Sequence, residues 1–234
     1  MTLIKEQPMV ELVAALKDKL VLVCKVLQHE RLIDGYGHVT TRLPDGHILS
    51  TPHMPPGKVA VRDLIVIDAD GKKLQGFGDP NGETAMHTAI YKARPDVQCI
   101  LHYHADELVA VAAAGQEIKV IGNCGVPFHR GTPIYDSPVL IRNEQLGIKV
   151  AETLGDKNVV LLRGHGGTVV AENLDQLLRW GIDLVRSARI QLMAAPLGAI
   201  KTHSAEECAR MARNESRAEV HRRFLDYYIS EVVD

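Results

Sequence analysis

The order in which hairpin signals give way to strand–helix alternation constrains this chain of 234 residues more than any single motif. Val39 to Arg42, the turn Pro44-Asp45-Gly46 and His47 to Ser50 read as a hairpin, because the middle residues accept tight-turn dihedrals. A second hairpin runs from Leu64 to Ile67 through Asp70-Gly71 to Leu74. Beyond it the period changes. Thr84 to Arg94 has helical spacing, Val97 to His104 reads as a strand, Glu107 to Ala114 and Asn143 to Leu154 as helices, and Asn158 to Leu162 as a strand. An amphipathic helix over Val10 to Glu30 precedes the hairpins. A long helix over Leu174 to Ala195 and a strongly charged one over Ala205 to Ser230 follow the last strand. Hairpins mixed with strand–helix alternation predict an α/β fold: a three-layer αβα sandwich with a mixed, largely antiparallel central sheet, in one domain over residues 1–234.

Charge and composition narrow the partners. A net charge of -2 offers no global field for nucleic acid or an anionic membrane surface, and 4% aromatic residues leave no stacking platform for single-stranded nucleic acid. Lys17, Asp18 and Lys19 interrupt the first hydrophobic region, so neither a signal peptide nor a membrane span is expected and the reading is cytoplasmic. Cys24, Cys99, Cys124 and Cys208 are scattered without a close pair, which reads as reduced, mostly buried thiols.

The chemistry-bearing residues sit at element boundaries. His102 and His104 end an apolar strand and share one of its faces by alternation, while Cys99 falls on the other face. His165, in Arg163-Gly164-His165-Gly166-Gly167, follows another apolar strand. Three separated imidazoles are the raw material of a three-nitrogen divalent metal site. Glu83 stands where a loop turns into a helix; a carboxylate there is either a helix-start residue stabilised by the dipole or a catalytic acid. His87, four residues further on the same helical face, is expected to support Glu83 or pack beneath the site rather than ligate.

Taken in order, Glu83, His102, His104 and His165, together with Gly35 to Arg42, Thr51-Pro52 and Leu161 to Gly166, resemble the class II aldolase/adducin family. The resemblance implies one divalent ion per subunit, manganese or zinc, on His102, His104 and His165, with Glu83 catalytic. It also implies a homotetramer with sites at subunit interfaces, Tyr135 falling near where the family places a tyrosine that reaches a neighbouring site. Members acting on phosphorylated sugars carry Gly-Asn-x-Ser, a Thr-Gly pair and serines before the glutamate. In this chain His38 replaces the asparagine, His53-Met54 follows Thr51-Pro52, and Asn81-Gly82 precedes Glu83. Losing those hydroxyl and glycine donors removes the cradle for a tetrahedral dianion.

The substrate is therefore expected to be a small anionic aromatic or heteroaromatic molecule, and the pattern resembles the family's decarboxylase branch, which acts on hydroxylated aromatic or pyridine dicarboxylates. His38, Thr40, Arg42, Thr51, His53, Asn81 and Tyr135 are the expected substrate-binding residues, with the imidazoles and Arg42 meeting planar carboxylates. The expected reaction is carbon–carbon scission through a metal-stabilised enolate or phenolate, Glu83 delivering or relaying the proton. For that role Glu83 needs to hold a proton near neutral pH against the lowering influence of helix and metal. Two other readings stand beside it: an aldolase or epimerase on a phosphorylated sugar, and a non-catalytic adducin-like interaction module.

Overall fold

In the computed structural model, which describes residues 3–215 and 218–233, both predicted hairpins form one half of an eight-stranded sheet. They supply β1 (His38–Arg42), β2 (Ile48–Ser50), β3 (Ile65–Ile67) and β4 (Lys73–Gln75). The other half contains β5 (Cys99–Tyr103), β6 (Ile134–Tyr135), β7 (Val159–Leu162) and β8 (Gly166–Ala171). The strand order is β4-β3-β2-β1-β5-β8-β7-β6, antiparallel throughout except for the parallel β6–β7 pair. This is the predicted mixed, largely antiparallel sheet. Two strands escaped the sequence reading. The pair Gly166-Gly167 that opens β8 reads as a turn, and β6 is two residues long.

Alternation along the strands builds the layers. Leu101 and Tyr103 of β5 join Val39, Leu161 and Val169 in a core shared with α1 (Leu3–His29), α3 (Asp106–Ala113) and α5 (Leu174–Ala194). Ile100 of β5 faces the other way, with Ile65, Val160 and Val170, onto α2 (Thr84–Ala93) and α4 (Glu144–Leu154). A strand covered on both sides needs apolar residues at every position, which is why β5 carries a continuous run. Each such fully buried aliphatic side chain contributes about 1.5–3 kcal/mol, far more than any surface pair can offer. The predicted terminal helix corresponds to α6 (Ala205–Glu215) and α7 (Ala218–Ser230), while Ser216 and Arg217 lie outside the described residues.

Local chemistry fixes the elements that carry the site. Asn143 caps α4 by accepting from Leu146 N at 2.9 Å, and Asn173 caps α5 by accepting from Gln176 N at 2.9 Å, worth about 1 kcal/mol each. Helices α2 and α4 approach so closely that a Cβ on Gly147 would stand 2.4 Å from Ala85 O, so the start of α2 is held firmly. Gly166 is the tightest point. Its φ is +152°, and a Cβ there would fall 2.2 Å from Tyr103 O and 3.0 Å from His104 Cα. Gly166→Ala is therefore expected to cost about 3 kcal/mol or more, a fall in melting temperature of roughly 6–12 °C by thermal denaturation. A melting temperature within a degree of the wild type would show that β5 and β8 can separate freely there.

Candidate metal centre

Sheet register gathers the site from distant parts of the chain. His38 of β1 stands opposite His102 of β5, and Thr168 of β8 stands opposite His102 on the other side. His104 follows the end of β5 on the same face as His102. His165 occupies the turn between β7 and β8, its N–H donating to Leu162 O at 3.0 Å, which places the turn beside the end of β5. Glu83 is the residue preceding α2, on the sheet face toward which His102 points.

The distances define one cluster. His102 Nε2 lies 2.9 Å from His104 Nε2. Glu83 Oε2 lies 3.3 Å from His165 Nε2, 3.6 Å from His102 Nε2 and 4.0 Å from His38 Nε2. Its other oxygen, Oε1, accepts from Ile141 N at 2.8 Å. Donor atoms of Glu83, His102, His104 and His165 all lie within 4.8 Å of one another. The predicted metal set is thus brought together as a unit.

Polar bookkeeping shows that the cluster suits a cation. Both ring nitrogens of His165, and Nε2 of His38, are buried without a hydrogen-bond partner among the described residues. Such atoms cost about 1–3 kcal/mol each when left unpaired, a cost that coordination of a lone pair removes. The Thr168 hydroxyl donates to Met86 Sδ at 3.4 Å and lies 3.0 Å from His102 Nδ1, so that nitrogen donates to Thr168 and the Nε2 lone pair is aimed into the cluster. Burial holds His102 well below the usual imidazole range, and burial followed by the His165 charge pushes His104 down to about 4. Both are neutral, as metal ligands must be.

At Glu83 the lowering influences win. Burial pushes its carboxyl up, but the facing imidazoles of His165, His38 and His102 and the Ile141 N–H together outweigh burial and hold it well below the carboxylate range. In the free protein it is ionised, and it must acquire a proton before it can deliver one.

Beneath the cluster runs a buried polar chain. His38 Nδ1 lies 2.8 Å from His87 Nε2, His87 Nδ1 lies 2.8 Å from Thr40 Oγ1, and Thr40 Oγ1 lies 2.9 Å from the Tyr91 hydroxyl, which donates to Gln98 O at 3.3 Å. His87 is fully buried and holds the ring of His38 in place, a positioning residue rather than a ligand. Burial, then the charge of His38, keeps its pKa well below the imidazole range. An unfolded imidazole titrates near about 6.5, so the unfolded state binds the extra proton below that pH. The contribution of His87 is complete above about pH 6.5 and declines by up to about 1.4 kcal/mol per pH unit as the pH falls. Denaturant midpoints measured from pH 7.5 to 5 should fall less steeply in His87→Gln than in the wild type; equal slopes would show that His87 does not stay neutral.

A cleft of about 610 Å³ opens over the cluster, within the range of small-molecule sites. His38, His53 and Asn81, expected from the sequence to bind substrate, line it. Thr40 is buried in the chain below, and Thr51 is spent on structure, its hydroxyl accepting from Val39 N at 3.1 Å and its carbonyl from Asn81 Nδ2 at 2.7 Å. Arg42 requires correction. It lies on the same face as His38 but four residues further along β1, about 13 Å away at strand rise. There its guanidinium donates to Val97 O at 2.8 Å and Tyr91 O at 2.6 Å and stacks on the Tyr91 ring, outside the cleft. Tyr135 packs partly buried against the apolar layer under α2 and α4 and does not line its own chain's cleft. Arg142 and Tyr36, neither singled out by the sequence, do line it.

Known proteins resemble this chain in sequence and in fold. A sequence profile described as Class II Aldolase and Adducin N-terminal domain matches residues 18–192. The 3,4-dihydroxyphthalate decarboxylase of Arthrobacter keyseri is 31% identical over 201 residues, spanning 79% of this chain and 81% of that protein. The L-fuculose phosphate aldolase of Escherichia coli is 29% identical over 143 residues, spanning 61% of this chain and 66% of that protein. In structure, the L-fuculose 1-phosphate aldolase from Glaciozyma antarctica superposes with a TM-score of 0.82 over 94% of this chain and 88% of that one, at 23% identity, a likeness of fold. No helix among the described residues is long and apolar enough to cross a membrane.

Proposed function

This chain belongs to the class II aldolase and adducin family, and from that membership we propose that it is a divalent-metal-dependent carboxy-lyase acting on a hydroxylated aromatic or pyridine dicarboxylate. The observation that carries the reading is the cluster itself: His102, His104 and His165 converge at the base of a cleft, both ring nitrogens of His165 are unpaired among the described residues, and Glu83 stands 3.3 Å from His165. A non-catalytic module has no use for that arrangement. The three imidazoles would hold the ion, manganese or zinc. Bound there, a divalent cation supplies Lewis-acid stabilisation of the negative charge that develops when a carbon–carbon bond beside an oxygen breaks.

The remaining steps fall to the protein. Glu83, ionised in the free state, takes the proton of the substrate's ring hydroxyl on Oε2. As the carboxylate carbon departs as carbon dioxide, the bonding pair stays on the ring carbon and Glu83 returns the proton to it. His38, held by His87, orients the ring against Glu83. Candidate substrates are 3,4-dihydroxyphthalate, the substrate named for a relative 31% identical, and 3-hydroxy-2-methylpyridine-4,5-dicarboxylate. In this reading the protein is cytoplasmic and forms a homotetramer with sites at subunit interfaces.

The alternative is an aldolase or epimerase on a phosphorylated sugar, favoured by the resemblance to L-fuculose phosphate aldolase. The cleft speaks against it, since no serine, threonine or lysine is among the described residues that line it. Carbon dioxide release from the two diacids, run beside cleavage of L-fuculose 1-phosphate, decides between them. Release from a diacid is expected; cleavage of the phosphosugar alone overturns the proposal.

A further inference from the structure

With Arg42 committed elsewhere, the cleft still has a cation. Glu83 Oε1 is bound by Ile141 N at 2.8 Å, and Ile141 is fully buried, so the segment carrying the next residue is pinned to the proposed acid. One residue later, Asn143 caps α4. Arg142 lies between these anchors, its own N–H donating to Leu140 O at 3.0 Å. Its position is thus set by the backbone, while its side chain is exposed and faces the cleft beside Asn81, Gly82 and His165. The Arg142 Nε stands 3.8 Å from where a Cβ on Gly82 would be, so the side chain lies across the loop that leads into Glu83.

Two features make this residue unlike the other arginines near it. It is the only Lys or Arg among the described residues that line the cleft. Arg42, Arg94 and Arg163 are held by carbonyls or carboxylates, whereas the Arg142 guanidinium makes no hydrogen bond or ion pair with any described residue. A guanidinium presents a planar fork of donors that matches a carboxylate in two parallel hydrogen bonds. An incoming anion therefore breaks no existing pair. A tetrahedral phosphate needs more donors than one fork, and the cleft lining adds no serine, threonine or lysine, its one side-chain hydroxyl being that of Tyr36.

We infer that Arg142 is the specificity-determining residue of the cleft, clamping the substrate carboxylate that is not lost while the imidazole cluster and Glu83 engage the other carboxyl and the ring hydroxyl. The inference rests on the proposed reading of the site and assigns the second anion of its substrate. It also explains why a diacid, rather than a monoacid, fits.

Calorimetric titration of the purified protein, Arg142→Gln and Arg142→Lys with phthalate, benzoate and inorganic phosphate tests it apart from turnover. The wild type should bind phthalate at least about tenfold more tightly than benzoate, from one added charge-assisted pair. Arg142→Gln should lose that advantage while its benzoate affinity changes less than about threefold, and Arg142→Lys should fall between, because an ammonium cannot make the paired contact. Phthalate affinity unchanged in Arg142→Gln overturns the inference, as does a wild type that binds neither acid or prefers inorganic phosphate. If no diacid releases carbon dioxide but phthalate still requires Arg142, the proposed reaction falls and the clamp stands. If carbon dioxide is released and phthalate ignores Arg142, the reverse holds.

Discussion

Glu83→Gln is expected to lower turnover by about 10²–10⁴-fold while the bound metal stays in place. The amide keeps the shape of the side chain and an oxygen to accept from Ile141 N, so the segment from Leu140 to Arg142 keeps its anchor. What disappears is the capacity to take a proton on Oε2 and return it. The effect should fall on kcat, with metal content by elemental analysis within a few tenths of an ion per chain of the wild type. Turnover close to that of the wild type would remove Glu83 from the chemistry and leave it only the role of a helix-start residue.

Replacing His165 has the opposite signature. Both its ring nitrogens lack a partner among the described residues, so His165→Ala gives up no hydrogen bond in the metal-free protein. It does give up one of three nitrogens around the ion. Removing a group that merely supports a ligand costs about 10–100-fold in metal affinity, and removing the ligand itself should cost more. The metal-free variant should therefore melt close to the metal-free wild type, while its affinity for zinc or manganese falls by more than about 100-fold. If affinity stays and the fold loosens instead, His165 is a structural histidine. His102→Ala is a less clean test, because that ring also holds Thr168 at 3.0 Å.

Much of the fold could be read from local pattern. Turn residues at Pro44-Asp45-Gly46 and Asp70-Gly71 fixed two hairpins, and strand alternation correctly put His102 and His104 together, with Cys99 on the opposite core face. Alternation gives the face of a residue and not the end of the strand at which the site lies. That is why His38 reaches the cleft while Arg42, on the same face, stacks on Tyr91 outside it. Strand β8 was hidden because its first residues are glycines. Gly166 is required there by close approach to Tyr103 and Gly167 by close approach to Leu108, contacts between segments far apart in sequence. Arg142 was hidden for a related reason: the bond that pins its neighbour Ile141 to Glu83 spans 58 residues. The ionisation of Glu83 depends on a balance between burial and four surrounding groups, none adjacent in sequence.

Metal stoichiometry and metal dependence, measured together, bear most directly on the central claim. Chelator-stripped protein titrated with zinc or manganese should take up one ion per chain, with carbon dioxide release returning in proportion to the ion bound. A stripped preparation that takes up no ion, or that turns substrate over at full rate without one, would contradict a metal centre built on His102, His104 and His165.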